Sequence, residues 1–306
     1  MKGYVAVTDR DWYNFLSRRP ELFEVNFWQP SARSTFRALE PGYPLLFKLH
    51  YPDNFVVGAG FFAHFSRLPV SLAWDAFGEK NGAGSYTEMR RRIEKYRRIE
   101  SSLRDDYEIG CIILEGTFFL PRQHWIPAPV DFSKSIVRGK GYDLEKAVGK
   151  DLWDRLIGAH GLAEHRIAGP GPASVYGGMT SVRQRLGQGA FRVLVTDAYE
   201  RKCAVAGERA LPTLQAAHIR PVSEGGTHRL DNGLLLRSDV HALFDRGYVT
   251  VAPDYTFRAS RRLKDDFDNG EHYLRLSGSR IRMPASNWEH PAPHELEWHA
   301  DTIFLG

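Results

Sequence analysis

The chain has 306 residues, of which 42% are hydrophobic and 25% charged, with a formal net charge of +4 at pH 7. This length suits two ordinary domains or one large one, and the composition is typical of a soluble globular protein. No apolar run approaches the roughly 20 residues that a membrane-spanning helix needs, and the first residues lack the apolar core of a secretion signal, so we expect a cytoplasmic location. Two cysteines, Cys111 and Cys203, are too few for a disulfide framework or a four-cysteine zinc site.

Residues 1–126 predict a domain built mainly from β-strands. Apolar runs rich in β-branched and aromatic residues are separated by Gly, Pro, Asp or Asn, as strands are. The runs are EVNFW (24–28), YPLLFKLHY (43–51), NFVVGAGFFAHF (54–65) and EIGCIILEGTFFL (108–120). Two further stretches, 9–16 and 86–103, have a helical pattern. We therefore predict a small mixed β-barrel with flanking helices.

Residues 127–180 are predicted to link this domain to a second one. The first part, 127–140, contains two prolines and has no clean period. Residues 142–163 are predicted to be helical, and 168–178 form a second loop rich in Gly and Pro. The second domain is then predicted to span 181–306.

A helix is predicted over 181–201, at the start of the second domain. Arg185, Gln188 and Arg192 recur at steps of three and four residues and therefore share one helix face. Such side chains suit contacts to DNA phosphates or bases, although a solvated helix face has the same pattern. A hairpin is expected within 248–276, and the last residues predict a closing helix.

The segment 216–245 carries the pattern with the clearest chemistry. His218 ends an apolar stretch, a Gly-Gly loop and Asn232 follow, and His241 lies on a predicted helix. Asn is suited to bond nearby backbone and to hold a loop in place. Hydrolysis of a phosphodiester needs a group that takes a proton from water and a group that neutralises charge on the phosphate. A strand, loop, strand and helix can bring two histidines and one asparagine into one cleft.

This segment resembles the HNH, or ββα-metal, nuclease family in the order and spacing of His218, Asn232 and His241, over roughly residues 200–252. The resemblance implies that His218 is the general base, that Asn232 fixes the loop that orients it, and that His241 binds a divalent cation. The unperturbed pKa of histidine, about 6.5, suits a general base.

The resemblance leaves the second metal ligand open. The family usually has Asp or His just before the base, whereas this chain has Ala217. Asp239 is the nearest replacement, and Asp231 and His228 are alternatives. Oxygen ligands favour Mg²⁺ or Mn²⁺, and one histidine ligand does not exclude zinc or nickel.

The segment ahead of this motif is similar to the corresponding region of predicted bacterial restriction endonucleases. The similarity implies that Arg185, Gln188 and Arg192 contact DNA. Arg237, beside the predicted active-site helix, is a further candidate because a guanidinium can clamp the scissile phosphate.

The strands of the first domain resemble the core of PUA-like domains of the EVE type and, more distantly, SRA domains. The resemblance rests on GYPLLFKLHYPDNFVVGAGFF (42–62), in which a glycine turn, a strand, a short polar turn and a second strand follow in that order. Such domains hold a flipped modified base in an aromatic pocket, where the base regains its stacking. Most aromatic residues here belong to the core; the pocket candidates are Trp28, Ser31, Asn54 and Phe62.

Together the two resemblances imply a modification-dependent restriction endonuclease that acts on double-stranded DNA carrying 5-methylcytosine or 5-hydroxymethylcytosine. Two alternatives stay open: an endonuclease that ignores modification, and a modified-base-binding protein whose nuclease half is inactive. Cutting both strands needs two active sites, so we expect a homodimer.

Overall fold

The computed structural model describes residues 1–97, 105–167 and 187–306, and only the backbone of 162–167. The chain divides into two compact units, Met1–Arg183 and Gln184–Gly306. Both units combine helices with strands, so the predicted α+β class is confirmed. Among the described residues, no helix has the length and apolar character needed to cross a membrane.

The first unit is built on a sheet of seven strands with helices around it. The strands are β1 (Lys2–Thr8), β2 (Glu24–Gln29), β3 (Pro44–Leu49), β4 (Phe55–Pro69), β5 (Glu108–Phe119), β6 (Ile126–Pro127) and β7 (Gly139–Asp143). The helices are α1 (Arg10–Leu16), α2 (Val70–Phe77), α3 (Tyr86–Arg97) and α4 (Ala147–Ile167). The helices predicted from the sequence over 9–16 and 86–103 correspond to α1 and α3, and residues 98–104 lie outside the described residues.

The sheet has the strand order β2-β5-β4-β3-β1-β7, and β6 pairs with β4 beside this path. Within the described residues no ladder joins the end strands β2 and β7, so the predicted barrel is a curved sheet that does not close by hydrogen bonds. Its curvature appears at Trp12 of α1, whose ring lies 5.4 Å from Phe27 on β2 and 5.2 Å from Phe47 on β3. Two strands separate β2 from β3 in the sheet, so only a curled sheet brings both to one side chain.

Residues 127–140 are not a free linker, which corrects the prediction from the sequence. The segment continues into β7, an edge strand antiparallel to β1, with Gly139 opposite Ala6. A Cβ on Gly139 would lie 2.4 Å from Val5 O, so glycine permits the close approach. Phe132 and Leu152 are buried in the same hydrophobic cluster as Val5. The first unit therefore extends beyond residue 126 and includes α4.

The second unit contains nine described helices and strands. They are α5 (Gln188–Ala198), β8 (Leu214–His218), β9 (Gly233–Arg237), α6 (Ser238–Asp245), β10 (Val249–Val251), β11 (Phe257–Ala259), α7 (Arg262–Phe267), α8 (Glu271–Leu276) and α9 (Pro293–Thr302). The expected hairpin is β10–β11, and the expected closing helix is α9. The core between these elements includes Phe191, Ala217, Leu235 and Phe244.

Candidate active site

The segment 214–245 forms the strand, loop, strand and helix that the sequence predicts. β8 and β9 pair antiparallel with His218 opposite Gly233, and α6 follows β9 directly. A Cβ on Gly233 would lie 2.6 Å from Val195 Cγ2, so glycine lets α5 pack closely against this hairpin. Ala217 is fully buried in the core whereas its neighbour His218 is half-buried, as side chains alternate along a strand.

His218 lies between an aromatic ring and a second histidine. Its imidazole is stacked on Phe191, with the ring centroids 3.9 Å apart and the planes 10° from parallel. Its Nε2 lies 3.0 Å from His228 Nδ1, at hydrogen-bond distance. Burial, together with the nearby His228 and His241 and against the opposing effect of Asp245, lowers the pKa of His218 to about 4. The imidazole is therefore neutral at neutral pH and has a nitrogen lone pair that can accept a proton.

Asn232 holds the loop between β8 and β9 in place. Its side chain is buried and accepts a hydrogen bond from Arg220 N at 2.9 Å, while its Nδ2 donates to Arg220 O and Thr227 O at 2.9 Å each. Its backbone carbonyl accepts from Ile219 N at 3.0 Å. These bonds fix the residues that directly follow His218, which is the arrangement that a loop-holding role requires.

His241 and Asp245 lie one helical turn apart on α6 and face each other. His241 Nδ1 lies 2.8 Å from Gln215 Oε1; since an amide oxygen only accepts, Nδ1 carries the proton and donates. The other nitrogen, Nε2, lies 3.4 Å from Asp245 Oδ2. A lone pair and a carboxylate so close together need a proton or a cation between them. A divalent cation fits this pair, and Asp245 is a residue that the sequence argument missed.

Asp239, predicted as the second metal ligand, is held by other partners. Arg237 Nε and Nη2 donate to its two carboxylate oxygens at 2.6 and 2.7 Å, and Tyr273 donates to Oδ2 at 2.8 Å. The bidentate Arg237 holds the pKa of Asp239 well below its usual range. Arg237 Nη2 also lies 3.3 Å from His272 Nε2. Neither Asp239 nor Arg237 lines the cleft that contains His218.

The described residues contain no group of three His, Cys, Asp or Glu side chains already arranged around one metal position. Asp231, another candidate ligand, is paired with Arg229 at 3.0 and 2.7 Å. His228, the other alternative ligand, lines the cleft but contacts His218, whereas His241 and Asp245 together offer one nitrogen and one carboxylate. This set suits an ion such as Mg²⁺ that keeps several waters. A bound divalent ion would neutralise charge developing on the phosphate.

These side chains line a cleft of about 790 Å³ in the second unit. It contains His218, His228, His241 and Asp245, together with Gln188 and Arg192 of α5. Two of the predicted DNA-contacting residues thus lie beside the candidate base. Arg185 falls outside the described residues.

A second candidate site lies in the first unit, as a pocket of about 350 Å³. It is lined by the ends of β1, β2 and β3, by α3 and by the segment before β7, and includes Trp28, Ser31, Asp9, Gln29, His50, Tyr96 and Arg138. Trp28 lies 6.2 Å from Tyr96 between ring centroids, and Tyr96 lies 6.2 Å from His50. Tyr96 donates a 2.5 Å hydrogen bond to Asp9 Oδ2. The pocket thus combines aromatic rings with polar groups, which is a composition that suits a small-molecule site.

Two of the four predicted pocket residues, Asn54 and Phe62, do not line this pocket. Asn54, at φ 51°, is in the left-handed region, and its Oδ1 accepts a hydrogen bond from Lys48 Nζ at 2.7 Å. Phe62 is buried and packs on Phe36 with ring centroids 5.4 Å apart. The register of β4 against β5 shifts on either side of Phe62, which changes the faces that simple alternation predicts.

Residues 203–252 match the family model described as HNH endonuclease. The second unit therefore carries an HNH endonuclease region, and endonucleases of this kind hydrolyse phosphodiester bonds. No curated protein matches the chain in sequence.

Two solved structures resemble parts of the chain. The N-terminal half resembles ASCH, a PUA-like protein, from Zymomonas mobilis, at 11% identity and a TM-score of 0.34, covering 50% of this chain and 94% of that one. The modification-dependent TagI restriction endonuclease is similar at 21% identity and a TM-score of 0.28, covering 39% of this chain and 38% of that one. Both resemblances are distant, and we take no residue role from either.

Proposed function

We propose that this chain is a modification-dependent DNA endonuclease that binds a modified cytosine in its first unit and hydrolyses the DNA backbone with its HNH unit. The observation that supports it is the presence of an aromatic pocket around Trp28 on the same chain as the HNH cleft around His218. Because a flipped base loses its stacking in the duplex, aromatic rings offer it replacement contacts.

His218 is the proposed general base. One imidazole nitrogen takes a proton from water while the water oxygen bonds to phosphorus, and one P–O ester bond breaks so that its oxygen leaves on the sugar and takes up a proton from solvent. Stacking on Phe191 limits rotation of the ring, and Asn232 holds the following loop residues. His241 and Asp245 would hold the divalent cation, for which Mg²⁺ and Mn²⁺ are the best matches.

Cationic side chains near both sites suit the charge of DNA. Arg138 lines the pocket, and Lys95 Nζ lies 5.9 Å from the ring centroid of Tyr96, which also lines it. In the HNH unit, the cationic Arg192 lines the cleft on α5, beside the neutral amide of Gln188. We propose that these residues bind phosphates and so position the duplex without specifying its sequence.

A digest of matched DNA tests the proposal. Unmodified, 5-methylcytosine-containing and 5-hydroxymethylcytosine-containing duplexes of one sequence are incubated with the protein and with Mg²⁺, Mn²⁺, Co²⁺ or Ni²⁺. We expect metal-dependent cleavage of modified DNA, with His218→Ala inactive but still binding and the exposed His294→Ala active. Equal cleavage of all three duplexes would favour an endonuclease that ignores modification.

The inactive modified-base-binding protein is the second candidate, favoured by Ala217 and by the lack of a three-ligand group among the described residues. Binding of modified DNA without cleavage under every metal would support it. Cutting of both strands further predicts a homodimer on DNA, which sedimentation of the protein–DNA complex would detect.

A further inference from the structure

Gln29 has a buried carbonyl oxygen that no hydrogen-bond donor reaches. The residue ends β2, lies opposite Gly110 of β5 and lines the aromatic pocket. Its Oε1 is buried and has no hydrogen-bond partner in the described structure. A Cβ on Gly110 would lie 3.1 Å from this oxygen, so the glycine leaves the space that the amide occupies. Buried polar atoms are normally satisfied, which makes this oxygen an acceptor that a bound molecule can complete.

The serine and carboxylate oxygens that line the pocket already receive hydrogen bonds. Asp9 Oδ1 accepts from Trp12 N at 2.9 Å, and Asp9 Oδ2 accepts from Tyr96. Ser34 Oγ accepts from Arg138 at 3.1 Å, and Ser31 Oγ accepts from Arg33 N at 3.2 Å. Of the carboxylate, serine and amide oxygens among the described residues that line the pocket, Gln29 Oε1 is therefore the one that receives no hydrogen bond and can accept one from an incoming N–H group.

We propose that Gln29 accepts a hydrogen bond from the exocyclic amine of the base in this pocket, so that the pocket selects a 4-aminopyrimidine. This inference rests on the proposed function. Cytosine and its 5-substituted forms have an amine at C4, where thymine and uracil have an oxygen. An oxygen placed against Gln29 Oε1 would put two acceptors together and leave both unpaired.

A binding experiment on the full chain tests this role. Duplexes carry one cytosine, one 5-methylcytosine or one 5-methyl-2-pyrimidinone, which is 5-methylcytosine without the amine, and chelator prevents cleavage. The wild type is expected to bind the amine-free duplex about ten-fold more weakly. Gln29→Met, similar in size but without the acceptor, is expected to lose about ten-fold on 5-methylcytosine and to treat the two 5-methyl duplexes alike. Because each base costs the same to flip in either protein, the comparison isolates the contact.

Two more variants complete the test. Gln123→Met, an exposed substitution in the same unit, is expected to behave as the wild type. Gln29→Glu retains an acceptor and is expected to keep the preference for the amine, which tests the inference even if Gln29→Met does not fold. The inference is overturned if removal of the amine weakens binding equally in the wild type and in Gln29→Met. It is also overturned if Gln29→Glu binds the two 5-methyl duplexes equally well. A wild type that binds 5-methylcytosine no tighter than cytosine instead refutes the proposed function, and the inference with it.

Discussion

The imidazole of His218 lies face to face with the phenyl ring of Phe191, 3.9 Å away and 10° from parallel. The contact joins α5 to the end of β8 and covers one face of the candidate base. It therefore controls both the orientation of His218 and its exposure to water.

Replacing Phe191 with leucine keeps an apolar side chain but removes the flat surface under the imidazole. We expect the cleavage rate at saturating DNA to fall by about ten-fold or more, because a base that is free to rotate spends less time in the reactive orientation. DNA affinity should change little. Single-turnover kinetics measure the rate, and Phe267→Leu, an exposed substitution in the same unit, is the control. An unchanged rate in the folded variant would show that the stacking does not orient the base.

The pH dependence of cleavage follows from the lowered pKa of His218. A general base works when it is deprotonated, so with a pKa of about 4 its protonation reduces the rate only as the pH falls toward that value. Burial is the largest cause of the lowered pKa. Phe191→Leu should therefore shift the acidic limb of the pH–rate profile to higher pH, toward the ordinary histidine value of 6.5. Single-turnover rates across the pH range, normalised to the folded fraction, check this. A wild-type limb centred near 6.5 would contradict it.

The two carboxylates of α6 should respond differently to removal of their charge. Asp245→Asn is expected to raise the metal concentration for half-maximal cleavage by about ten-fold, since the second donor beside His241 is lost. Asp239→Asn should leave that concentration unchanged and lower stability instead, because it breaks the contact with Arg237. Metal titrations and urea unfolding of both variants separate the effects. The reverse pattern would restore Asp239 as the ligand.

Asn232→Ala removes an acceptor and two donated hydrogen bonds from a buried position. Because partners on the loop lose their bonds, we expect the free energy of unfolding to fall by about 2 kcal/mol or more. Cleavage should also fall, since the residues after His218 are no longer fixed. Urea unfolding measures the loss, with exposed Asn287→Ala as the matched substitution. Equal stability of the two variants would mean that the loop does not depend on Asn232.

His299 should make stability fall in mild acid. Its ring is buried, stacks on Phe244, donates from Nε2 to Phe244 O at 3.1 Å and accepts at Nδ1 from Thr250 Oγ1 at 2.8 Å. Burial lowers its pKa from 6.5 to about 4.

Stability falls in acid because, as the pH is lowered, the unfolded chain binds a proton at His299 before the folded chain does. The unfolded chain protonates His299 near pH 6.5 and the folded chain only near 4, so its contribution is complete above 6.5 and declines as the pH falls to 4, by about 3 kcal/mol. Between these two pH values, the free energy of unfolding should fall by that much less in His299→Gln than in the wild type. In exposed His294→Gln it should fall as much as in the wild type. Parallel curves for the wild type and His299→Gln would contradict the prediction.

The HNH region was largely predictable because its signals are local. Alternation in β8, the Gly-Gly loop and the helical period after Asn232 all lie within one short segment. Asp245 was within reach of the same reasoning, since it follows His241 by one helical turn. Asp239 could not be excluded from sequence, because its partner Tyr273 comes from a helix distant in the chain.

The first unit was less predictable because its pocket joins distant segments. Tyr96 and Asp9 meet there through the curvature of the sheet, which no periodicity records. The edge strand β7 has two glycines in five residues and lacks the apolar alternation that indicates a strand. Phe62 was assigned to the pocket from composition, whereas bulges in β4 place it in the core.

The burial of Ala217 determines how the proposed metal site can be strengthened by design. Its methyl group lies in the hydrophobic core, so Ala217→Asp would place a carboxylate among apolar side chains and cost stability before it could bind a cation. Engineering for tighter metal binding should therefore begin on α6, where Asp245→His or Asp245→Glu alters a solvent-exposed donor. In the proposed site the strand supplies the base and the helix supplies the positions at which metal preference can be changed.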